Sequence, residues 1–437
     1  MVLMRYPTVA SALLCALALA CRSTPAPPPS PEPGPADTVA ALAADRISAN
    51  IQSLHLVRGF PHPTILDPHF ASGDPQSPGY TAVIGYVHAG DAAIWTGHYL
   101  AAEAFRYAVT KSPDALANAR RALTGIQGLV DVTTPAQPDL LARFLWPDSW
   151  EYAERMAVVE GGHGVYRGAP GGVPHRWLGN TSRDQYSGVF LGLGVAFDLI
   201  DEPDVRSRIA SLVTRMLDFL VRNGWNVRMP NGSLSTTFLQ RPEQQLSFLQ
   251  VGRRVNPAKF NAIYQATRTT YAGAVSAPIA IDCLDPHRGY YKFNLNHINL
   301  YNLIRLEEPG AARIAYMNAF QALRSCTNNH ENAHFNLVER ALEGPDAARD
   351  RDTRRYLNLW LERPRRDYYV DLRSRYAECG ANRACNAIPV DERPNTDFLW
   401  QRSPFLLFGG VDGTVETAAI DYLLSYWMAR YYGVLAG

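Results

Sequence analysis

Apolar residues recur at helical spacing through most of the chain, and the resulting segments are of two kinds. Some are apolar almost all round, as from Asp184 to Ile200, and must be covered on every side. Others carry a single apolar stripe, as in the stretch that opens at Pro203 and stops at Asn223-Gly224. The helix predicted over Asp91–Tyr107 is of the first kind. Ile94, Leu100, Ala101, Ala104, Phe105 and Ala108 supply its apolar surface, and Gly97, Ala101 and Ala104 admit a neighbouring backbone. Ser112-Pro113-Asp114 then opens a striped partner running to about Val130, with serine as cap and proline in the first turn. Further helices are expected over about 38–56, 259–280, 297–307, 310–326, 331–343, 351–361, 365–377 and 415–432. Alternating strand patterns are few, and short strands are placed only within 225–255. Residues 62–79 and the glycine-rich 161–179, with His163, Tyr166, His175 and Trp177, are expected as long loops, a length that often serves function.

A buried helix followed by a striped one, repeated along the chain, resembles the six-hairpin (α/α) toroid. That all-α architecture is common among glycosidases, polysaccharide lyases and sugar epimerases. The resemblance implies one domain over 37–437 with a central cavity. An open helical solenoid is the structural rival, but no strict sequence period supports it.

The first residues have a different character. Arg5 precedes an apolar run from Val9 to Ala20, too short for a comfortable permanent span, and residues 1–20 read as a leader. Ala18-Leu19-Ala20-Cys21 resembles the lipobox of bacterial lipoproteins, with Ala where Leu is commonest at its first position. The resemblance implies lipidation at Cys21, membrane attachment through that anchor alone, and a place in the cell envelope facing the periplasm or exterior; ordinary secretion is the alternative. Residues 21–36 are proline-rich and form an extended tether. Beyond Cys21 four cysteines remain. Cys379 and Cys385 flank a five-residue loop, which leaves Cys283 for Cys326, and an even number in an exported chain favours disulfides over metal.

Composition narrows the function classes. Of 437 residues, 47% are apolar and 19% charged, enough for a sizeable core. A net charge of +1 gives no electrostatic case for nucleic acid. The sequence contains no Walker A loop, dinucleotide fingerprint or GxSxG elbow.

Four stretches carry candidate chemistry. Asp91, Trp95 and His98 place an acid, an aromatic ring and an imidazole on the first turns of one buried helix. Ser182-Arg183-Asp184-Gln185-Tyr186-Ser187-Gly188 is similar to a Ser-Arg-Gly-Gln-aromatic pattern at an inner-helix start in unsaturated glucuronyl hydrolases. Asp184 stands where that pattern has Gly, and its tryptophan is absent. Asp91 and Asp184 are therefore the candidate catalytic carboxylates, since glycosidases commonly use two; the plainer reading of each is a helix cap. Arg183 and Gln185 can fork onto sugar hydroxyls.

His330-Glu331-Asn332-Ala333-His334 would put two imidazoles on one helical face, the arrangement of zinc peptidases. Thr327-Asn328-Asn329 upstream suggests a cap instead, and no third ligand stands out. Together with His297 and the asparagines of 294–336, the pair also reads as the lining of a sugar pocket, or as a bonded set of cap and loop residues. Trp400 and Arg402 add a stacking face and a forked donor. Asp421, among the apolar residues of the last helix, needs a partner.

The leading expectation is an exported lipoprotein that acts without a cofactor on oligo- or polysaccharide, by hydrolysis or elimination. The alternatives are a zinc peptidase using His330 and His334, and a non-catalytic lipoprotein that binds sugar or peptide.

Overall fold

The computed structural model describes residues 35–436 except 286, 381 and 395–401, with side chains from residue 38 onward. Residues 1–34, which hold the expected leader, most of the tether and Cys21, lie outside the described residues, as does Trp400.

The described chain is mostly helical. Its first helix, α1 (Pro35–Asn50), continues into a wider π turn over Ile51–His55. The hairpin α2 (Ala92–Thr110) and α3 (Pro113–Asp131) follows, then the short α4 (Ala153–Val159). Two more hairpins are α5 (Arg183–Leu199) with α6 (Pro203–Arg222), and α7 (Pro242–Val255) with α8 (Pro257–Tyr271). After α9 (Ser276–Cys283) come α10 (Tyr291–Arg305) with α11 (Ala311–Thr327), and α12 (Ala333–Glu343) with α13 (Ala347–Leu361). The last helix, α14 (Ile420–Tyr431), packs against α1.

Within each consecutive hairpin the connection is one to five residues, and the local chemistry explains its tightness. Ser112 caps α3 by accepting from the backbone of Asp114 and Ala115, and α3, α6 and α8 each begin on proline, whose missing N–H costs nothing there. The strands lie in the longer links, although only five residues, none of them in a strand, separate α11 from α12. β1 (Asp67–Phe70) and β2 (Val83–Val87) join β8 (Arg366–Asp371) and β9 (Phe408–Glu416) in an antiparallel sheet of order β2-β1-β9-β8. β3 (Phe144–Pro147), β4 (Val165–Gly168) and β5 (His175–Leu178) form a second sheet, and β6 (Asn226–Arg228) pairs with β7 (Leu234–Thr237).

The first helix of each hairpin is buried along most of its length, and these helices touch in series. α2 packs on α5, α5 on α7 and α10, α7 on α10, α10 on α12, α12 on α14, and α14 on α2. The closest approach is between α2 and α5. A Cβ added at Gly97 would lie 2.1 Å from the Gly188 carbonyl oxygen, and one at Gly192 2.3 Å from that of Gly97. Here backbone meets backbone. Asparagines on α10 tie it to α5: Asn299 donates to Ser187 Oγ (2.9 Å) and Asn302 to the Phe190 carbonyl (3.1 Å).

Several expectations need correction. Residues 365–377 hold strand β8, not a helix, because Arg366-Asp-Tyr-Tyr-Val-Asp371 is rich in aromatic and branched residues and finds β9 as a partner. The last helix starts at Ile420, since the glycines of 409–413 belong to β9. Residues 242–255 form α7; its glutamines disguise a helix whose polar residues are buried. The stretch 259–280 breaks into α8 and α9 around Gly273, and 161–179 supplies two paired strands within an otherwise irregular link. Both disulfides are present: Cys283–Cys326 joins α9 to α11, and Cys379–Cys385 closes the small loop.

The α2–α5 contact generates a stability prediction. Gly97→Ala forces a methyl into backbone that cannot rotate away, and should destabilise the chain by about 3 kcal/mol. Gly161→Ala, where an added Cβ meets nothing within 4 Å, should change it by less than about 0.5 kcal/mol. Denaturant midpoints of the two variants check this.

Candidate functional site

The N-terminal ends of α2, α5, α7, α10 and α12 meet, and polar side chains gather there. Asp91 precedes α2, but its carboxylate makes no capping bond to the helix. It is used sideways instead. Gln185, fully buried on α5, donates from Nε2 to Asp91 Oδ1 (3.1 Å) while its Oε1 accepts from the backbone of Ile94 (3.0 Å). Arg143 approaches the same carboxylate at 3.6 Å and also binds the carbonyls of Gly90 and Asn180 and the hydroxyl of Ser182. The starts of α2 and α5 are thereby clamped to each other, with Asp91 about one third exposed between them.

Arg183 and Asp184 occupy the first turn of α5, both partly exposed. Arg183 feels the charges of Arg241 and Glu243, which brings the start of α7 into the same cluster. Glu243 is completely buried. Its Oε1 accepts from Arg241 Nε (2.7 Å), and its Oε2 has no hydrogen-bond partner. Burial pushes its carboxyl up from the ordinary glutamate value, against the pull of Arg241. The other face of Arg241 reaches Asp282 (3.0 Å) and Asn296 (3.1 Å), and Asn296 donates to Asp282 (3.0 Å). A protonatable carboxylic acid thus sits beside a cationic hub.

Deeper inside lie four buried histidines from three segments: His98 on α2, His297 on α10, and His330 and His334 around the start of α12. His98 Nδ1 lies 2.8 Å from the Ile94 carbonyl and His297 Nδ1 2.7 Å from that of Phe293, so each must carry its proton on Nδ1. Their Nε2 atoms are then acceptors. His98 Nε2 faces Asn294 (3.4 Å), His297 Nε2 is without a hydrogen bond, and the His297 ring stacks on Phe335 at 3.7 Å. Burial lowers His98 to about 4 and His330 and His334 to about 3, and drives His297 well below its usual value. All four are neutral at physiological pH.

His330 and His334 do not share a helical face. Glu331 turns through a left-handed conformation (φ 48°), Asn332 caps the helix by accepting from Phe335, and α12 begins only at Ala333. His330 instead meets the Tyr290 hydroxyl (3.1 Å), and its carbonyl accepts from the buried Arg393 (2.9 Å). Among the described residues no group of three or more His, Cys, Asp or Glu side chains is arranged to hold a metal ion.

A third group flanks Asp91 from the strand-bearing links. His88, itself left-handed at φ 60°, contacts Asp67 (2.8 Å). Burial opposes charge on Asp67, yet its hydrogen bonds with His55 and His88 hold it down at about 2. Glu160 accepts from the backbone of Ala89 (3.0 Å) and stands 3.6 Å from His163, whose ring closes over Gly90.

The structure therefore brings Asp91, Arg183, Asp184 and Gln185 together at one end of the helices, with His98, His297, His330 and His334 beneath. Trp95 is 4% exposed and lies 5.1 Å from the His98 ring, a packing position and not an open stacking face. Arg402 is exposed in the loop before β9. Asp421 has its partner in Trp360, which donates from Nε1 at 2.8 Å. Sequence reasoning missed Arg143, Arg241, Glu243 and Asp282. The available signal was Arg241-Pro-Glu-Gln-Gln245, a proline-started helix with a glutamate in its first turn. No family model matches the chain, and no curated protein matches it.

The neutral histidines set a pH dependence. Unfolded imidazoles bind protons below about pH 6.5 while these four resist until about pH 4 or lower, so acidification favours the unfolded state across that interval. The melting temperature should fall from about pH 6.5 toward pH 4, by roughly 5 °C or more. His297→Phe, which removes one such group, should show a flatter pH profile in the same melts.

Proposed function

We propose that the hairpins close into an (α/α) toroid and that the chain is a lipid-anchored envelope protein hydrolysing glycans where the inner helices begin. The serial packing of α2, α5, α7, α10, α12 and α14, with α14 returning to α2, supports a ring; the partners α3, α6, α8, α11, α13 and α1 would form its outer layer. The observation that carries the activity is the presence of two unlike carboxyl groups at the same end of these helices. Glu243 is buried with a raised affinity for its proton, whereas Asp91 is partly open and held by Gln185 and Arg143.

Two carboxyls in contrasting surroundings suit acid and base roles. In this reading Glu243 gives its proton to the glycosidic oxygen as the bond to the anomeric carbon breaks. Asp91 takes a proton from the water that adds to that carbon. Arg183, Asp184 and Arg241 hold hydroxyls at the rim, and the mixed donors and acceptors of the cluster need no resident cofactor. The zinc peptidase reading loses its helical His-Glu-x-x-His geometry at Glu331.

The test is incubation with a panel of plant, bacterial and animal polysaccharides, following new reducing ends and unsaturated, ultraviolet-absorbing products separately. Hydrolysis yields the first without the second. Glu243→Gln and Asp91→Asn should each lower kcat at least about 100-fold while the chain remains folded at the assay temperature, as circular dichroism would show. Unsaturated products, or full activity in both variants, would replace hydrolysis or this residue pair respectively.

A further inference from the structure

The opposite end of the same helices holds a cavity. It measures about 760 Å³ and is lined by Phe105 of α2, Val195 of α5, Gln250 of α7, Tyr301 of α10 and Tyr431 of α14, so it opens where these helices finish. Its size falls within the range of small-molecule sites. Glu308 on its rim also lines an adjoining groove of about 540 Å³.

The wall combines aromatic faces with planar polar groups. Phe105, Tyr431 and Tyr432 form an aromatic cluster with ring separations of 5.0 to 6.1 Å, and Tyr431 is 42% exposed. The hydroxyls of Tyr301 and Tyr432 bond each other at 2.6 Å. The arginines along the wall are only partly satisfied, and one terminal nitrogen of Arg305 is buried without an acceptor. Arg254 and Arg305 share Asp198 (2.8 and 2.5 Å), and Arg253 bonds the Leu306 carbonyl at the end of α10. Helix C-terminal ends add further negative character. Glu308 and these helix ends oppose an anion, while a neutral hydroxyl can accept from Arg305.

Gln250 adds a specific requirement. It is completely buried in the wall, and its Nε2 donates to Glu307 Oε2 (3.0 Å). Tyr264 and Arg268 hold that glutamate in place. This network fixes the orientation of the amide, because turning it would set oxygen against oxygen. Gln250 Oε1 is left without a hydrogen bond. A buried acceptor in that state is costly unless something donates to it.

We infer that this cavity is a second carbohydrate site, taking a short neutral oligosaccharide whose hydroxyl donates to Gln250 Oε1 while a ring stacks on Tyr431. The adjoining groove gives room for the chain to continue. The site lies at the far end of the helices from Asp91 and Glu243 and makes no bond to the reacting glycan. It would hold a polymer that the opposite mouth processes elsewhere.

Calorimetric titration of the purified full-length chain tests this, with cellotriose, xylotriose and chitotriose as neutral probes and trigalacturonate as the acidic one. At least one neutral trisaccharide should bind, and Tyr431→Ala and Gln250→Leu should each weaken that event at least about tenfold. Glu243→Gln should leave it unchanged. Tyr431 lies at the surface, so its variant keeps the test valid even if Gln250→Leu unfolds. No neutral binding, binding that Tyr431→Ala does not weaken, binding abolished by Glu243→Gln, or binding confined to trigalacturonate would each overturn the inference. Turnover of a small substrate in the Tyr431→Ala chain should equal that of the parent, which separates failure here from failure of the hydrolase reading.

Discussion

Backbone contact between α2 and α5 is the constraint from which the rest of the structure follows. Gly97, Gly188 and Gly192 let the two helices approach until each carbonyl lies where a side chain would begin. At that separation Gln185 spans from the Ile94 backbone to the Asp91 carboxylate, and one Arg143 serves both helix starts. A wider spacing would strand these groups. Asp91 owes its position to a crossing two turns away more than to its own loop.

The interior that surrounds this contact is unusually polar for a helical core, and its polar groups are sorted by depth. Asn299 and Asn302 bond across to α5 and hold helices in register. One turn nearer the mouth, Asn294 and Asn296 face His98 and the Arg241–Asp282 pair. A buried ion pair gives little net stability, because desolvation offsets most of the attraction. Arg241, with Glu243 on one side and Asp282 on the other, is better understood as an orienting device. It leaves Glu243 with one satisfied and one unsatisfied oxygen.

The helical pairs were legible because burial on all faces and burial on one face leave different spacings; the Asp184–Ile200 and Pro203–Arg222 pair shows both. The convergence of Asp91 with Gln185 was legible only in outline, as two polar starts of buried helices. What escaped was decided by distant partners. Residues 366–371 are a strand because residues 408–416 pair with them, and α7 buries its glutamines because Gln245 and Gln250 find partners in Phe238 and Glu307. Arg143 and Asp282 lie in links between hairpins, where no periodicity marks them. At His330 and His334 a motif spacing is intact while the backbone turns between its members.

The unequal connections have an evolutionary consequence. Turns within the consecutive hairpins are at most five residues, whereas most links between hairpins run longer and several of the longer links carry the three sheets. Lengthening a link alters one end of the molecule and leaves the helix packing alone; lengthening a turn would unseat a hairpin. Such a scaffold can drift in what its mouth accepts while its opposite face keeps a fixed shape. The two ends are thus subject to separate histories within one chain.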